Sequence, residues 1–361
     1  MTDAPTALPH PFFRPEHHRA AARILPPKLR SLIESSEPPV LLDIRPARER
    51  RFSHLAGDLH IPLSQLPERV GELPRGRTIV AYDHYGSQAP RAAEFLETRG
   101  FPRVAALEGG IDDYTLQADP SVPRYRAEDG EGGLYLHQLP RLNTGCLSYL
   151  VGDLAHRDAI LIDPGFDVDP YLALLKEGGW SLRAIVETHT HADHLAGHAA
   201  LHARTDAPIY VSHRSPALYP HRRLTEGEGL PFGGEELRVI ETPGHTRDHL
   251  TLRLRETVFT GDTLLIGSCG RTDLGDGSPY LLYESLTDKL LKLPPETEVY
   301  PAHFGPHHAL VDRWVSSVGF ERATNEALRQ KDREEFVRYM TDGWPPKPKN
   351  FEEIVHANLA P

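Results

Sequence analysis

A cluster of three histidines and one aspartate constrains this chain more than any other feature. The segment reads Thr188-His-Thr-His-Ala-Asp-His194 and follows the apolar stretch 182–187, which predicts a buried strand. Imidazole and carboxylate groups are ligands that zinc and iron prefer at neutral pH. The chain has 21 histidines among 361 residues, so histidine pairs arise by chance. A cluster with this spacing at the exit of a strand does not arise by chance, and it indicates a metal site.

Three later turns each present one further candidate ligand. They are His245 in a Pro-Gly-His-Thr turn, Asp262 in Thr-Gly-Asp-Thr and His303 in Pro-Ala-His, and each follows an apolar stretch typical of a strand. A single histidine or aspartate in a turn is more often ordinary surface. Four such turns in one chain indicate a sandwich that builds a site along one edge of its sheets, where rigid strands aim the loops.

These motifs, in this order and spacing, resemble the metallo-β-lactamase fold in its glyoxalase II branch. The resemblance covers about residues 133–340 and implies an αββα sandwich. Within that branch, the segments Cys269-Gly-Arg-Thr-Asp273 and Glu321-Arg-Ala-Thr-Asn325 resemble the persulfide dioxygenases.

That resemblance implies one Fe(II) per chain, held by His189, His245 and Asp262. It also implies that O₂ oxidises a low-molecular-weight thiol persulfide, such as glutathione persulfide, to thiol and sulfite. Two imidazoles and one carboxylate leave open the positions that oxygen-activating iron requires. The remaining polar residues of the motifs would then orient the ligands and move protons; they are His191, Asp193, His194, His303 and, in an Asp-Pro-Gly turn, Asp163.

Two other interpretations stay open. In a glyoxalase II-like thioester hydrolase, the same four residues His191, Asp193, His194 and His303 would complete a cage for two zinc ions. The other interpretation is a sulfur-binding adaptor without turnover. The Cys-Gly-Arg-Thr-Asp segment counts against the hydrolase, and the complete ligand set counts against the adaptor.

The persulfide dioxygenase resemblance also suggests residues that bind substrate. Arg271 matches the family's thiol-binding arginine, and a guanidinium suits a carboxylate-bearing thiol; the less favoured alternative is that it pins its own loop. Thr246 and Cys269 are expected to line the pocket, whereas Cys146 is interpreted as strand packing. Phe304 stands where the family usually has an aspartate, which puts the identity of the thiol in question.

The first third of the chain carries a second pattern. The segments Val40-Leu-Leu-Asp-Ile-Arg-Pro46 and Leu107-Glu-Gly-Gly-Ile111 resemble the rhodanese sulfurtransferases over about residues 22–120, which implies a small parallel α/β domain. The position of the sulfur-carrying cysteine is occupied by Asp83. Because a carboxylate cannot carry a sulfane sulfur, we expect an inactive domain, retained for stability or for docking a sulfur-transfer protein.

Composition agrees with a cytoplasmic enzyme of two domains. The predicted division is an arm 1–21, the domain 22–120, a linker 121–132, the domain 133–340 and an extension 341–361 that can wrap this chain or a second copy in a homodimer. A net charge of −11 argues against nucleic-acid binding. Two cysteines form no disulfide framework, and no apolar stretch has the length of a membrane span.

Overall fold

The computed structural model divides the chain into two compact units between Tyr114 and Thr115. It describes residues 21–50, 53–119, 122, 124–127, 133–141, 145–303, 315–330, 332–342, 347 and 350–361. Residues 1–20 of the predicted arm and Phe304 lie outside the described residues.

The first unit is built on a parallel sheet of five strands. In chain order these are β1 (Arg23–Ile24), β2 (Val40–Asp43), β3 (Leu59–His60), β4 (Ile79–Tyr82) and β5 (Val104–Leu107). Its helices are α1 (Pro26–Ile33), α2 (Ala47–Arg50), α3 (Leu66–Arg69), α4 (Ala89–Thr98) and α5 (Gly110–Gln117), with a 3₁₀ turn at Val70–Glu72.

The strand order in this sheet is β1-β5-β4-β2-β3, and every pairing is parallel. The central strands β2 and β4 are buried along their whole length. Continuous apolar runs of this kind are typical of parallel sheets covered on both faces. The predicted small parallel α/β fold is confirmed.

The second unit contains two sheets. The first has seven strands, β6 (Arg124–Ala127), β7 (Gly133–Arg141), β8 (Cys146–Asp153), β9 (Asp158–Ile162), β10 (Ser181–Val186), β11 (Ile209–Ser212) and β12 (Arg222–Leu224). The second has six, β13 (Gly229–Phe232), β14 (Glu235–Glu241), β15 (Leu250–Leu254), β16 (Thr257–Gly261), β17 (Glu298–Pro301) and β18 (Ser316–Ser317).

In the part of this unit that the structure describes, six helices accompany the sheets. They are α6 (Asp169–Gly178), α7 (His198–Thr205), α8 (Pro279–Glu284), α9 (Val318–Thr324), α10 (Arg333–Thr341) and α11 (Phe351–Leu359). A π turn at Ser285–Lys289 extends α8, and 3₁₀ turns follow at Leu290–Lys292 and Ala327–Arg329.

Alternate residues of the two sheets face each other and form one core. Tyr149 and Val151 of β8 belong to the same apolar cluster as Val239 of β14, Leu252 of β15 and Phe259 of β16. This period-2 burial is the pattern of a sandwich.

Helices cover the outer faces of the sandwich. The opposite side of the second sheet, with Val258 and Val299, packs on Leu282 of α8 and Phe336 of α10, while α7 contacts β10 and β11 of the first sheet. The predicted αββα sandwich is confirmed.

One part of the predicted linker is a strand. Arg124–Ala127 pairs antiparallel with Gly133–Leu136 at the edge of the first sheet. This corrects the linker prediction for these four residues, because an edge strand is held through its backbone groups whatever its side chains. Among the described residues, we find no helix with the length and apolar character needed to cross a membrane.

Candidate metal centre

Three ligand-type side chains, His189, His245 and Asp262, meet at one edge of the sandwich. His189 follows β10, His245 lies between β14 and β15, and Asp262 directly follows β16. Asp262 Oδ2 lies 3.4 Å from Nε2 of His245 and 3.8 Å from Nε2 of His189, and all three side chains are buried. Their ligand-type atoms lie within 4.8 Å of one another, so one metal ion fits among them.

Neighbouring groups set the tautomer of both imidazoles. Nδ1 of His245 donates to the carbonyl oxygen of Arg271 at 2.7 Å. The Thr188 hydroxyl donates to Asp163 Oδ2 at 2.7 Å and therefore accepts from Nδ1 of His189 at 2.9 Å. With the proton on Nδ1, each ring presents the Nε2 lone pair, the form in which histidine binds a metal.

Asp163, which directly follows β9, connects the first sheet to the histidine loop through hydrogen bonds. Its Oδ1 accepts the backbone N–H of Thr188 at 2.7 Å and lies 3.3 Å from Nε2 of His191. The same His191 nitrogen lies 3.0 Å from Glu187, which also contacts His198 at 2.9 Å. Burial would lower the pKa of His191, but Asp163 and Glu187 raise it well above its ordinary value. Nδ1 of His191 is buried and has no hydrogen-bond partner among the described residues.

A hydrogen-bonded chain links Asp262 to Cys146 across the centre. His303 Nδ1 lies 2.6 Å from Asp262 Oδ1, and its Nε2 lies 2.8 Å from Asp193 Oδ2. The Cys146 thiol donates to the same Asp193 oxygen at 2.9 Å. Burial would lower the pKa of His303, but the two carboxylates raise it well above its ordinary value. Burial would raise the pKa of Asp262, but His303 lowers it, so the carboxylate stays in its ligand form.

The structure corrects the interpretation of Cys146 as strand packing. This residue begins β8, but its thiol lies at the centre, 2.9 Å from Asp193 and 3.7 Å from Nδ1 of His194. Ligand-type atoms of the three residues lie within 4.8 Å of one another. No local signal reveals this, because Asp193 and His194 follow 47 and 48 residues later.

The structure buries Cys269, which was expected to line the pocket. Its thiol is buried in the apolar cluster of the second sheet, 3.5 Å from the sulfur of Met340. Burial raises the pKa of Cys269 to about 12. The thiol is therefore protonated at neutral pH.

Arg271 and Thr246 lie next to the ligands in different roles. The guanidinium of Arg271 forms two bonds to Asp273, at 2.6 and 2.8 Å, so it pins its own loop. The carbonyl of the same residue orients His245. Thr246 directly follows that ligand, and its buried hydroxyl has no hydrogen-bond partner among the described residues.

Three residues that support the centre escape the sequence motifs. His249 stacks on His189 with ring centroids 4.8 Å apart, and its Nε2 accepts the backbone N–H of Asp262. Burial lowers the pKa of His249 to about 3, so the ring is neutral. Arg141 Nη2 lies 3.1 Å from Nε2 of His194. Asn358 of α11 donates to the carbonyl oxygens in the histidine loop.

In the first unit, the carboxylate of Asp83 fills the loop that follows β4. It accepts the backbone N–H groups of Gly86 and Gln88 and lies 3.3 Å from the hydroxyl of Ser87. Gly86 has a φ of +74°, and a Cβ there would lie 2.7 Å from the backbone nitrogen of Gly109. The backbone N–H groups of this tight loop thus form an anion-binding cradle, and the carboxylate of Asp83 occupies it.

Two family models match the chain. The metallo-beta-lactamase superfamily matches residues 142–303, and the rhodanese-like domain matches residues 25–117. Both matches agree with the resemblances found in the sequence.

Relatives of known name divide between two activities. The human protein named "Persulfide dioxygenase ETHE1, mitochondrial" is 37% identical over 215 residues, which cover 59% of this chain and 82% of that protein. A hydroxyacylglutathione hydrolase of Thermosynechococcus vestitus is 39% identical over 213 residues, which cover 50% of this chain and 83% of the hydrolase.

A solved structure agrees with the first of these relatives. The crystal structure of ETHE1 from Myxococcus xanthus superimposes with a TM-score of 0.59 at 38% identity. The match covers 62% of this chain and 97% of that one.

Proposed function

The chain belongs to the persulfide dioxygenase family of the metallo-β-lactamase superfamily, and from this premise we propose that it oxidises a low-molecular-weight thiol persulfide with O₂ at one iron ion. Its activity is that of a sulfur dioxygenase. One persulfide, one O₂ and one water would give one thiol, one sulfite and two protons. The observation that carries this proposal is the cluster of His189, His245 and Asp262, with both imidazoles fixed to present Nε2.

These three residues would hold the ion. Two imidazoles and one carboxylate fit Fe(II), which supplies oxygen-activating redox chemistry when it is bound in such a set. Thr188 and the Arg271 carbonyl keep the two rings oriented, and His249 packs against His189 to exclude water from that side.

The reaction releases protons, and the hydrogen-bonded chain is placed to carry them. His303 lies between Asp262 and Asp193, and its protonated ring donates to both, so it can release the proton on Nε2 toward Asp193. Asp193 is partly exposed, which gives this path an outlet to solvent. The same protonated ring provides a positive charge for an anionic persulfide.

The thiol carrier is the least constrained part of the proposal. The hydroxyl of Thr246, which has no hydrogen-bond partner among the residues described, is placed to donate to a bound persulfide. Arg271 donates to Asp273 through Nε and Nη2, so a glutathione carboxylate would share the guanidinium with that pair. Glutathione persulfide is our default substrate, with coenzyme A and bacillithiol persulfides as alternatives.

The test is oxygen uptake by the iron-loaded chain. We expect O₂ consumption and sulfite release with one of these three persulfides, and no uptake with thiosulfate. His245→Ala should abolish both iron binding and uptake, while His156→Ala, which changes an exposed ring paired with Asp153, should leave them unchanged.

Relatives named hydroxyacylglutathione hydrolase support a thioester hydrolase as the second candidate. Fast hydrolysis of S-lactoylglutathione, without O₂ uptake on any persulfide, would decide for that activity. The cytoplasmic location, the homodimer and the docking of a sulfur-transfer protein stay predictions; the mammalian relatives are named mitochondrial.

A further inference from the structure

His194 has both of its ring nitrogens engaged. Nη2 of Arg141 lies 3.1 Å from Nε2, and Asp193 Oδ1 lies 3.1 Å from Nδ1. A guanidinium has donors only and stays charged, so Nε2 must accept and Nδ1 must carry the proton that is donated to Asp193. The lone pair that a second metal ion would need is therefore directed at Arg141.

Arg141 is held firmly in this position. Its Nη1 donates to the hydroxyl of Ser148 at 2.7 Å and lies 3.3 Å from both the carbonyl oxygen of Asp163 and the hydroxyl of Tyr171. The side chain also packs on Gly165, where a Cβ would lie 2.6 Å from Nη1 and 2.9 Å from Cδ. These contacts fix the position of the guanidinium.

Asp193, the other group that a second ion would need, is also engaged. Its two oxygens face the Cys146 thiol at 2.9 Å, Nδ1 of His194 at 3.1 Å and Nε2 of His303 at 2.8 Å. A second cation would have to compete with these three internal donors for the carboxylate.

We propose that Arg141 makes the centre mononuclear. The guanidinium blocks Nε2 of His194 and places a fixed positive charge where a second divalent cation would bind. The inference rests on the proposed function only in taking the first ion to be held by His189, His245 and Asp262. According to this inference, the number of metal ions is determined by a residue that lies outside every metal-binding motif of the chain.

The test is the number of metal ions per chain. The full-length protein and Arg141→Met, which removes the charge but keeps the length, are stripped of metal. They are then loaded with Fe(II) under nitrogen, or with Zn²⁺, and analysed by mass spectrometry of the elements. We expect one ion in the unchanged protein and a second ion in Arg141→Met. Adding His194→Ala to that variant should remove the second ion.

Controls keep the result interpretable. Arg183→Met removes a surface guanidinium paired with Asp158 and should keep one ion. If circular dichroism shows that Arg141→Met does not fold, Arg141→Gln retains an amide for Ser148 and answers the same question. Two ions in the unchanged protein, or one ion in a folded neutral variant, would overturn the inference.

This count is independent of catalysis. Suppose that the protein gains a second ion only when Arg141 is lost, but oxidises no persulfide. That result would refute the proposed function and leave the inference standing. Oxygen uptake by an unchanged protein that holds two ions would overturn the inference and leave only the dioxygenase activity of the proposed function standing.

Discussion

At the scale of single residues, the centre depends on groups that hold the far nitrogen of each ligand ring. Thr188 couples Asp163 to His189, and the Arg271 carbonyl fixes His245. Such partners keep a ring in one tautomer before any ion arrives, which reduces the cost of binding. The single Thr188 hydroxyl makes two of these hydrogen bonds, since it donates to Asp163 and accepts from His189.

Thr188→Val should therefore weaken iron binding without removing a ligand. The variant keeps the side-chain volume but loses both hydrogen bonds, and loss of a ligand's partner typically costs about 10- to 100-fold in metal affinity. Competition with a chelator measures the change. Thr205→Val, which removes a hydroxyl bonded to Leu201 in α7, is the matched control; equal affinities in all three proteins would contradict the role of Thr188.

Asp83 leads to a prediction in the first unit. The unchanged chain should show no thiosulfate:cyanide sulfurtransferase activity, because the carboxylate occupies the N–H cradle and cannot carry sulfur. Asp83→Cys should give trace turnover, since it supplies a thiol and frees the cradle for an anion. Asp83→Ser is the control without a nucleophilic sulfur. Turnover by the unchanged chain would show that another group carries the sulfur.

At the scale of elements, α11 contacts a loop far from it in sequence. Its residue Asn358 binds backbone groups that precede it by more than 160 residues. Asn358 donates to the carbonyl oxygens of His191 at 3.0 Å and His194 at 2.8 Å, and it accepts the backbone N–H of Ala196 at 2.9 Å. One buried amide thus satisfies three backbone groups of the metal-binding loop. The Pro-rich end of the chain suggested a wrapping segment, and α11 is the part that reaches the site.

Asn358→Ala should destabilise the second unit and loosen its metal. Leaving buried backbone groups without partners costs about 1–3 kcal/mol each, and the loop would lose its fixed shape. Chemical denaturation and the rate of iron loss to a chelator measure the two effects. His356→Ala, an exposed position on the same helix, should change neither; a variant that unfolds earlier but keeps its iron would limit Asn358 to a structural role.

The ligands were predictable from sequence because their motifs are local. His189 and its neighbours occupy six consecutive positions at a strand exit, so their spacing alone indicates a metal. Arg141, Cys146 and Asn358 are brought to the centre only by the pairing of distant strands and by the packing of α11. Isolated residues of these types are common, and their sequence context carries no period or motif.

At the scale of the whole molecule, the metal should stabilise one unit selectively. Among the described residues, all the candidate metal-ligand groups lie in the second unit, and the first unit has its own parallel sheet and core. A ligand stabilises only the structure that binds it, by about 2.7 kcal/mol at a hundredfold excess over its dissociation constant.

Removal of iron should therefore raise amide hydrogen exchange in the loop 188–194 and in its neighbours β10 and β16. Exchange in β2 and β4 of the first unit should not change. Mass spectrometry of the exchanged chain with and without iron gives both readings in one experiment. A parallel rise in β4 would mean that the metal stabilises both units.

The position of α11 also sets an order of events during synthesis. The histidine loop leaves the ribosome early, but the amide that completes its hydrogen bonds is made 164 residues after His194. When the loop emerges, the strands that precede His245 and Asp262 are still to come, and the three backbone groups have no permanent partner until Asn358 is made. Metal loading must therefore follow translation of the sandwich, and a chain stalled before α11 would present an unfinished loop to the metals of the cell.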